Sequence, residues 1–295
     1  MQMTDKLALY ENQLNTLIDL ALEEDIGGGD ITSETLIPAD LRAKTTLLAK
    51  ADGVLAGVDL AKLVFIKVDS ELKFKVLLKD GAKLHSGDII GTVTGNARSI
   101  LKAERVALNF LQKLSGIASQ TAEYVAIIGD LPVDILDTRK TTPGMRLLEK
   151  YAVSMGGGRN HRFNLSDGML IKDNHLATLR AHGMTLREIV NKAKSGAPEG
   201  IKVEVEVTNL KEAREAVAAA ADIIMFDNMS PAKMRAAVKI VPANIMTEAS
   251  GNINLKTVRA AAETGVNFIS IVALTHSSKA LDISLEFQPI IKKRK

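Results

Sequence analysis

The stretch from Asp137 to His175 carries Arg139, Lys140, Arg146, Arg159, His161, Arg162 and Lys172, interleaved with the run Gly156-Gly157-Gly158. Arginine forks grip carboxylate or phosphate two bonds at a time, and glycines let backbone N–H groups approach a ligand. The pattern implies a multiply anionic ligand, flat or phosphorylated. The competing reading is a solvated basic surface beside a flexible loop, since charge runs are commonly only solvated.

Acids follow further along. Glu204 and Glu206 stand two apart in the run 202–207. In a strand their side chains face one way. Together with Asp227 they make an oxygen set that suits Mg²⁺, which takes one or two carboxylates plus substrate phosphate oxygens. An exposed edge strand with two solvated acids would read the same. Lys172, after an apolar run, fits a phosphate ligand or a Schiff-base amine. Ser250-Gly251-Asn252 opening a helix is a phosphate-loop signal or only an N-cap. His161, beside Arg162, is placed to donate to a carboxylate or to be structural. His85, His182 and His276 read as structural or surface residues.

These residues need elements to hold them. Leu7, Leu14, Leu17, Ile18, Ala21 and Leu22 recur at helical spacing, giving a first helix to about Glu24 that stops at Gly27-Gly28-Gly29. Residues 30–34 read as a turn or cap. A β-rich region follows, with strands at 44–50, 54–56, 72–78 and 89–94 and a helical stripe at 59–68. The turns between 77 and 95 resemble those of biotinyl and lipoyl carriers without their modified-lysine hairpin, so they read as architecture. Residues 100–114 are helical, broken at Ser115-Gly116, with a second helix to about Ile128.

The period then changes. Short apolar runs at 133–136, 169–171, 202–207, 223–226, 245–247 and 268–272 alternate with helices at 145–155, 186–193, 211–219, 231–240 and 255–264. Such alternation gives parallel strands, about six here against the eight of a complete barrel. Ligand groups of such barrels sit at the C-terminal strand ends. Asp137-Thr138-Arg139-Lys140, Lys172-Asp173-Asn174-His175, Glu204 with Glu206, Asp227-Asn228 and the run from Glu248 to Asn252 all fall there. The predicted fold class is α/β: a first domain at 1–115, rejoined by 276–295, and a catalytic barrel domain at 116–275.

Bulk properties narrow the partners. The 295 residues are 46% hydrophobic and 25% charged, with a formal net charge of +3. That balance gives no case for nucleic acid, and 3% aromatics without tryptophan offer no stacking platform. The basic tail Lys292-Lys293-Arg294-Lys295 reads as solvated. The absence of cysteine rules out disulfides and thiolate zinc sites and fits a reducing cytosol. No apolar run is long enough to span a bilayer, and MQMTDKLALYENQL is an amphipathic helix pattern rather than a signal peptide. A cytoplasmic protein is expected.

The blocks DTRKTTPGMRLLEKYAV and GGGRNHRFNLSDGMLIKDNH resemble the signature of the quinolinate phosphoribosyltransferase family. EEDIGGGDITSE, AERVALNFLQKLSGIAS, VEVEV, MFDNMSP, EASGNIN and ALTHSSKALDISLEF resemble its other blocks in the same order, so the likeness covers nearly the whole chain. It implies an N-terminal α/β sandwich domain followed by an incomplete (β/α) barrel of about six or seven parallel strands. It implies a pentosyltransferase that joins quinolinate to phosphoribosyl pyrophosphate with Mg²⁺. The products would be nicotinate mononucleotide, pyrophosphate and CO₂, a step toward NAD. It implies a homodimer or dimer-based hexamer, with no nucleic acid or membrane partner.

Carried over position by position, Arg139, His161, Arg162 and Lys172 match residues that hold quinolinate, and Arg105 one that the neighbouring subunit supplies. Lys140, Lys172, Glu206, Asp227, Ser250, Gly251 and Ala273 fall at phosphoribosyl pyrophosphate positions. Glu206 and Asp227 would face the metal through substrate phosphates and, with Lys140 and Lys172, carry the catalysis. The chain departs from the family pattern at Val272, where glycine is common, at Met155, where cysteine is common, and at Arg159, where a small or neutral residue is usual. Three rival readings remain. They are a same-fold homologue of the molybdenum-transport type, a Schiff-base aldolase using Lys172, and a non-catalytic binder of phosphoribosyl compounds. The complete basic set argues against the first. Borohydride trapping would expose the second, and binding without turnover the third.

Overall fold

The computed structural model describes residues 3–289. The basic tail at 292–295 and the side chain of Leu7 lie outside the described residues. The chain begins with α1 (Met3–Ile26) and α2 (Ile31–Leu36). β1 (Arg42–Ala49), β2 (Gly53–Val54) and α3 (Val58–Val68) follow, then β3 (Lys73–Val76), β4 (Lys83–Leu84), β5 (Ile89–Asn96) and the long α4 (Ala97–Ile128). Next come β6 (Asp134–Leu136), α5 (Arg146–Met155), β7 (Met169–Ile171), α6 (Asp173–Ala181) and α7 (Leu186–Gly196). β8 (Val203–Val207), α8 (Leu210–Ala218), β9 (Ile223–Asp227), α9 (Pro231–Val238) and β10 (Met246–Ser250) continue the alternation. The last elements are α10 (Val258–Ala262), β11 (Phe268–Ser270), α11 (Ala273–His276) and β12 (Ile283–Pro289). Among the described residues no helix is long and apolar enough to cross a membrane.

Two compact units share the chain. The first comprises Met1–Gln120, Pro143–Gly156 and Ser278–Lys295; the second comprises Thr121–Thr142 and Gly157–Ser277. The stretch 143–156, which sequence reading leaves inside the barrel domain, therefore groups with the first unit. Its helix α5 buries Leu148, Tyr151, Ala152 and Val153. The Tyr151 hydroxyl donates to Asp80 Oδ2 at 2.8 Å, and Asp80 Oδ1 accepts the Val58 N–H at 3.0 Å. Burial pushes both the Asp80 carboxyl and the Tyr151 phenol up.

In the first unit an antiparallel sheet runs in the order β12-β1-β5-β3. β1 alternates exposed and buried residues at period two, so Ala43, Leu47 and Ala49 enter the core. The Phe65 ring on α3 meets Phe74 on β3 at 5.7 Å between centroids. Two local expectations fail here. Residues 31–36 form a helix, because Asp30 Oδ1 caps it by accepting the Ser33 N–H at 2.9 Å. The helix α4 also passes unbroken through Ser115-Gly116. The Ser115 hydroxyl accepts the Ala56 N–H at 3.0 Å, and a Cβ on Gly116 would lie 1.9 Å from the Lys279 carbonyl oxygen. Those small residues make room for crossing chain rather than ending the helix.

The second unit holds a parallel sheet of six strands in the order β6-β11-β10-β9-β8-β7, an incomplete barrel. The end strands β6 and β7 do not pair with each other. Helices follow the strands as expected, with caps at Thr185, Asn209 and Ser230, the last followed by Pro231 at the first helical position. The helix α6 escapes sequence reading, since only Leu176 of its nine residues is buried and it shows no apolar stripe.

Candidate active site

Alternate residues of parallel strands line a barrel interior in layers. In β8 the valines at 203, 205 and 207 take one face, leaving Glu204 and Glu206 on the other, toward the barrel interior. An upper layer consists of Thr138, Lys172, Glu206, Asp227, Ser250 and Val272. With Arg139, Lys140, His161, Arg162, Gly251, Asn252, Ala273 and His276 they line a cavity of about 860 Å³. All of the predicted site residues are present in it except Arg105, which is exposed on α4 in the first unit. The glycine run 156–158 does not line the cavity. Gly156 is the C-cap of α5.

Lys172, at the end of β7, places Nζ 3.2 Å from Glu206 Oε1. Glu206 Oε2 accepts the Asp173 N–H at 3.3 Å, so the start of α6 secures the acid. On the next strands Asn228 Nδ2 donates to Asp227 Oδ2 at 3.0 Å, and Asn252 Nδ2 donates to Asn228 Oδ1 at 2.8 Å. Asn228 and Asn252 both hold positive φ, as does Gly251, whose Cβ would lie 2.3 Å from Asn228 Oδ1. Two adjoining left-handed loops are thus tied together under the Ser250-Gly251 turn. Thr275 Oγ1 donates to the Lys140 carbonyl at 2.8 Å, which fixes the loop after β6. Val272 adopts φ −63 and ψ −37 at the start of α11, a backbone that needs no glycine. Arg159 pairs with Asp134 Oδ2 at 2.9 Å.

Below this layer sit Glu204, Glu248 and Ser270. Burial, then the neighbouring Arg139, presses the Arg162 guanidinium's proton affinity down, while Glu204 and Glu206 oppose it. Burial, then the charge of Glu204, holds the Glu248 carboxyl well above its ordinary value of 4.5, with Ser270 beside it opposing. The folded state therefore binds more protons than the unfolded chain as pH rises past that value. This contribution to stability is fully present at lower pH and is lost as pH climbs through the raised value. Glu248→Gln removes the dependence. In thermal melts from pH 4.5 upward, the variant's Tm should gain steadily on the parent's; a constant gap would refute the assignment.

Glu248 and Asn252, placed by the sequence at the strand-end rim without a role, line the cavity, and so does His276, which read as structural or surface. Glu248 lies within β10, Asn252 just past it, and His276 ends α11, so the last has no strand-end signal. A hollow of about 760 Å³ among Arg180, Arg187, Lys211, Glu212, Arg214 and Glu215 is a poorer site, because its charges partly answer each other, as in Arg180 to Glu212 at 2.9 Å.

An incomplete parallel barrel with a cationic, carboxylate-backed cavity at its C-terminal rim defines an enzyme for a multiply anionic substrate. The domain family described as "Quinolinate phosphoribosyl transferase, C-terminal domain" matches residues 117–286, and the corresponding N-terminal domain matches 30–115. The chain is 47% identical over 274 residues to a Bacillus subtilis protein named as a probable nicotinate-nucleotide pyrophosphorylase (carboxylating), covering 93% of each. It is 43% identical to a mitochondrial quinolinate phosphoribosyltransferase (decarboxylating) of Nicotiana glauca, covering 92% of this chain and 82% of the relative. The solved structure of NadC from Streptococcus pyogenes superposes with a TM-score of 0.90 at 43% identity, covering 95% of this chain and 98% of the other. The chain belongs to the quinolinate phosphoribosyltransferase family.

Proposed function

We infer that this chain transfers the phosphoribosyl group of phosphoribosyl pyrophosphate to quinolinate, giving nicotinate mononucleotide, pyrophosphate and CO₂. One observation carries the reading. Arg139, Lys140, Arg162 and Lys172 converge on a single cavity that also presents Glu206 and Asp227. Quinolinate is a flat pyridine with two adjacent carboxylates, and the forks of Arg139 and Arg162 match them. Lys140, Ser250, Gly251 and Ala273 take the phosphoribosyl pyrophosphate, with Lys172 between the two substrates. Arg105 completes the carboxylate pocket from a second copy of the chain in a homodimer.

Substitution at the anomeric carbon develops positive charge on the ribose, which Glu206 and Asp227 stabilise from fixed positions. The C–O bond to pyrophosphate breaks as the ring nitrogen bonds to carbon. The pyridinium so formed draws electrons, the bond from C2 to its carboxylate breaks, CO₂ leaves, and C2 takes a proton. Positioning and charge supply most of the effect. Glu206 and Asp227 are hard oxygen donors of the kind Mg²⁺ takes. Both Glu206 oxygens already accept hydrogen bonds, which fits a cation reached through substrate phosphates. A cation held there would offset charge on the leaving pyrophosphate.

The test is an assay with quinolinate, phosphoribosyl pyrophosphate and Mg²⁺, following CO₂ and nicotinate mononucleotide, with nicotinate in parallel. Turnover with quinolinate alone, abolished by chelator and restored by Mg²⁺, is the expected result. Turnover with nicotinate would keep the phosphoribosyl site and refute the carboxylate pocket. Tight binding without product would make the chain a non-catalytic binder.

A further inference from the structure

The mechanism gives no task to three buried acids of the second unit. Asp137, Glu204 and Glu248 are 0%, 5% and 1% exposed. Such groups are costly inside a protein unless something answers them. All three turn toward one short segment. Asp137 Oδ1 accepts the His161 N–H at 2.8 Å, and its Oδ2 accepts from Asn160 Nδ2 at 2.8 Å. His161 Nε2 lies 3.1 Å from Glu204 Oε2 and 3.6 Å from Glu248 Oε2. The other ring nitrogen, Nδ1, accepts the Arg162 N–H at 2.7 Å. The Arg162 guanidinium then donates from Nη1 to the Gly168 carbonyl at 2.9 Å.

This segment lies at the open edge of the barrel. Its strand-like contact is a single parallel bridge from Arg159 to Leu136, with the Arg159 N–H donating to the Ile135 carbonyl at 2.8 Å. A regular strand would be fixed by a ladder of backbone bonds. Support from below is also thin. A second cavity of about 460 Å³ lies toward the N-terminal strand ends, and His161, Arg162 and Glu248 line both hollows. They form a partition, and the partition needs a brace.

We propose that Asp137, Glu204 and Glu248 are positioning residues. They clamp the His161 main chain and imidazole, and through Nδ1 the clamp fixes the Arg162 main chain where its fork can meet a substrate carboxylate. The inference rests on the reading of Arg162 as a quinolinate contact. It also gives His161 a role in which Nδ1 is an acceptor and Nε2 carries the proton, directed at the acids rather than at substrate.

The test uses Glu204→Gln and Glu248→Gln in the full chain. Both keep volume and an acceptor oxygen; the first removes the charge that faces His161 Nε2, and the second replaces the buried carboxyl beside it with an amide. With quinolinate varied at saturating phosphoribosyl pyrophosphate, KM for quinolinate should rise roughly ten- to a hundred-fold. KM for phosphoribosyl pyrophosphate should stay within about twofold, and melting should show a folded protein. The double variant should be little worse than the poorer single one, since both act through one imidazole. Histidine ¹⁵N spectra should show a single Nε2–H tautomer at His161 in the parent and a mixture in the variants. Unchanged KM for quinolinate, or equal rises in both KM values, would overturn the proposal. An unaltered tautomer signal would overturn it too, even if the parent used another substrate. A parent inactive with quinolinate but showing the tautomer change would instead overturn the proposed reaction.

Discussion

Arg162→Ala should lower kcat/KM for quinolinate by roughly thirty- to several-thousand-fold while leaving the protein folded. Truncating one partner of a desolvated charge pair costs about 2–5 kcal/mol, and each 1.4 kcal/mol is about tenfold. Arg162 is half-buried beside Arg139, and burial already weakens its hold on the proton. An arriving carboxylate would relieve both strains, so its loss should be felt in substrate binding. The fold should survive, because the side chain's visible bond is one contact to the Gly168 carbonyl. Lysine should not restore the activity, since a point charge cannot reproduce a two-pronged contact. Near-parental turnover in the alanine variant would show that the carboxylate pocket lies elsewhere.

Gly116→Ala should cut the melting temperature by roughly 4–8 °C. Two effects oppose each other. Alanine favours a helix interior over glycine by about 1 kcal/mol. Against that, the new Cβ would sit 1.9 Å from the Lys279 carbonyl oxygen, 2.9 Å from its carbon and 3.0 Å from Ala280 Cα. These are backbone atoms, which cannot rotate aside. Overpacking costs about 1–3 kcal/mol, so at the top of that range, where nothing flexible yields, clash should win by about 2 kcal/mol. For a chain of this size 1 kcal/mol shifts Tm by roughly 2–4 °C. Gly28→Ala is the control, because no atom lies within 4 Å of its Cβ position. Equal melting of the two variants would mean that residues 279–280 do not cross α4 as seen here.

Much of the barrel was legible because its strands are short apolar runs with polar residues at their C-terminal ends. The six runs read from sequence correspond to the six parallel strands, and Met169–Ile171 matches at both ends. The spacing of Glu204 and Glu206 gave their shared face. What sequence could not give is which partner an element packs against. The helix α5 has a plain amphipathic pattern, and nothing in that pattern says that Tyr151 will meet Asp80. Ser115-Gly116 looked like a break because small residues have two uses, ending a helix or admitting a neighbour. The glycine run 156–158 was read for ligand contact when it ends a helix. For His161 the sequence left two readings, a donor to a substrate carboxylate or a structural residue. Its two ring nitrogens turn out to be directed to Arg162 and to acids from two other strands, a tertiary fact with no local signal.

The strand β12 lies far along the chain from its partner β1, and Lys50 meets Glu286 across 236 residues of sequence. At translation rates of about 5–20 residues per second, β1 waits roughly 12–50 s for that neighbour. Until residues 283–289 are made, the β1 edge that β12 covers would lack its neighbour. Lys44, exposed on β1 opposite Gln288, places charge there, which discourages pairing with another chain. The first unit is thus begun first and finished last, and its yield in the cell should depend on how fast the message is read.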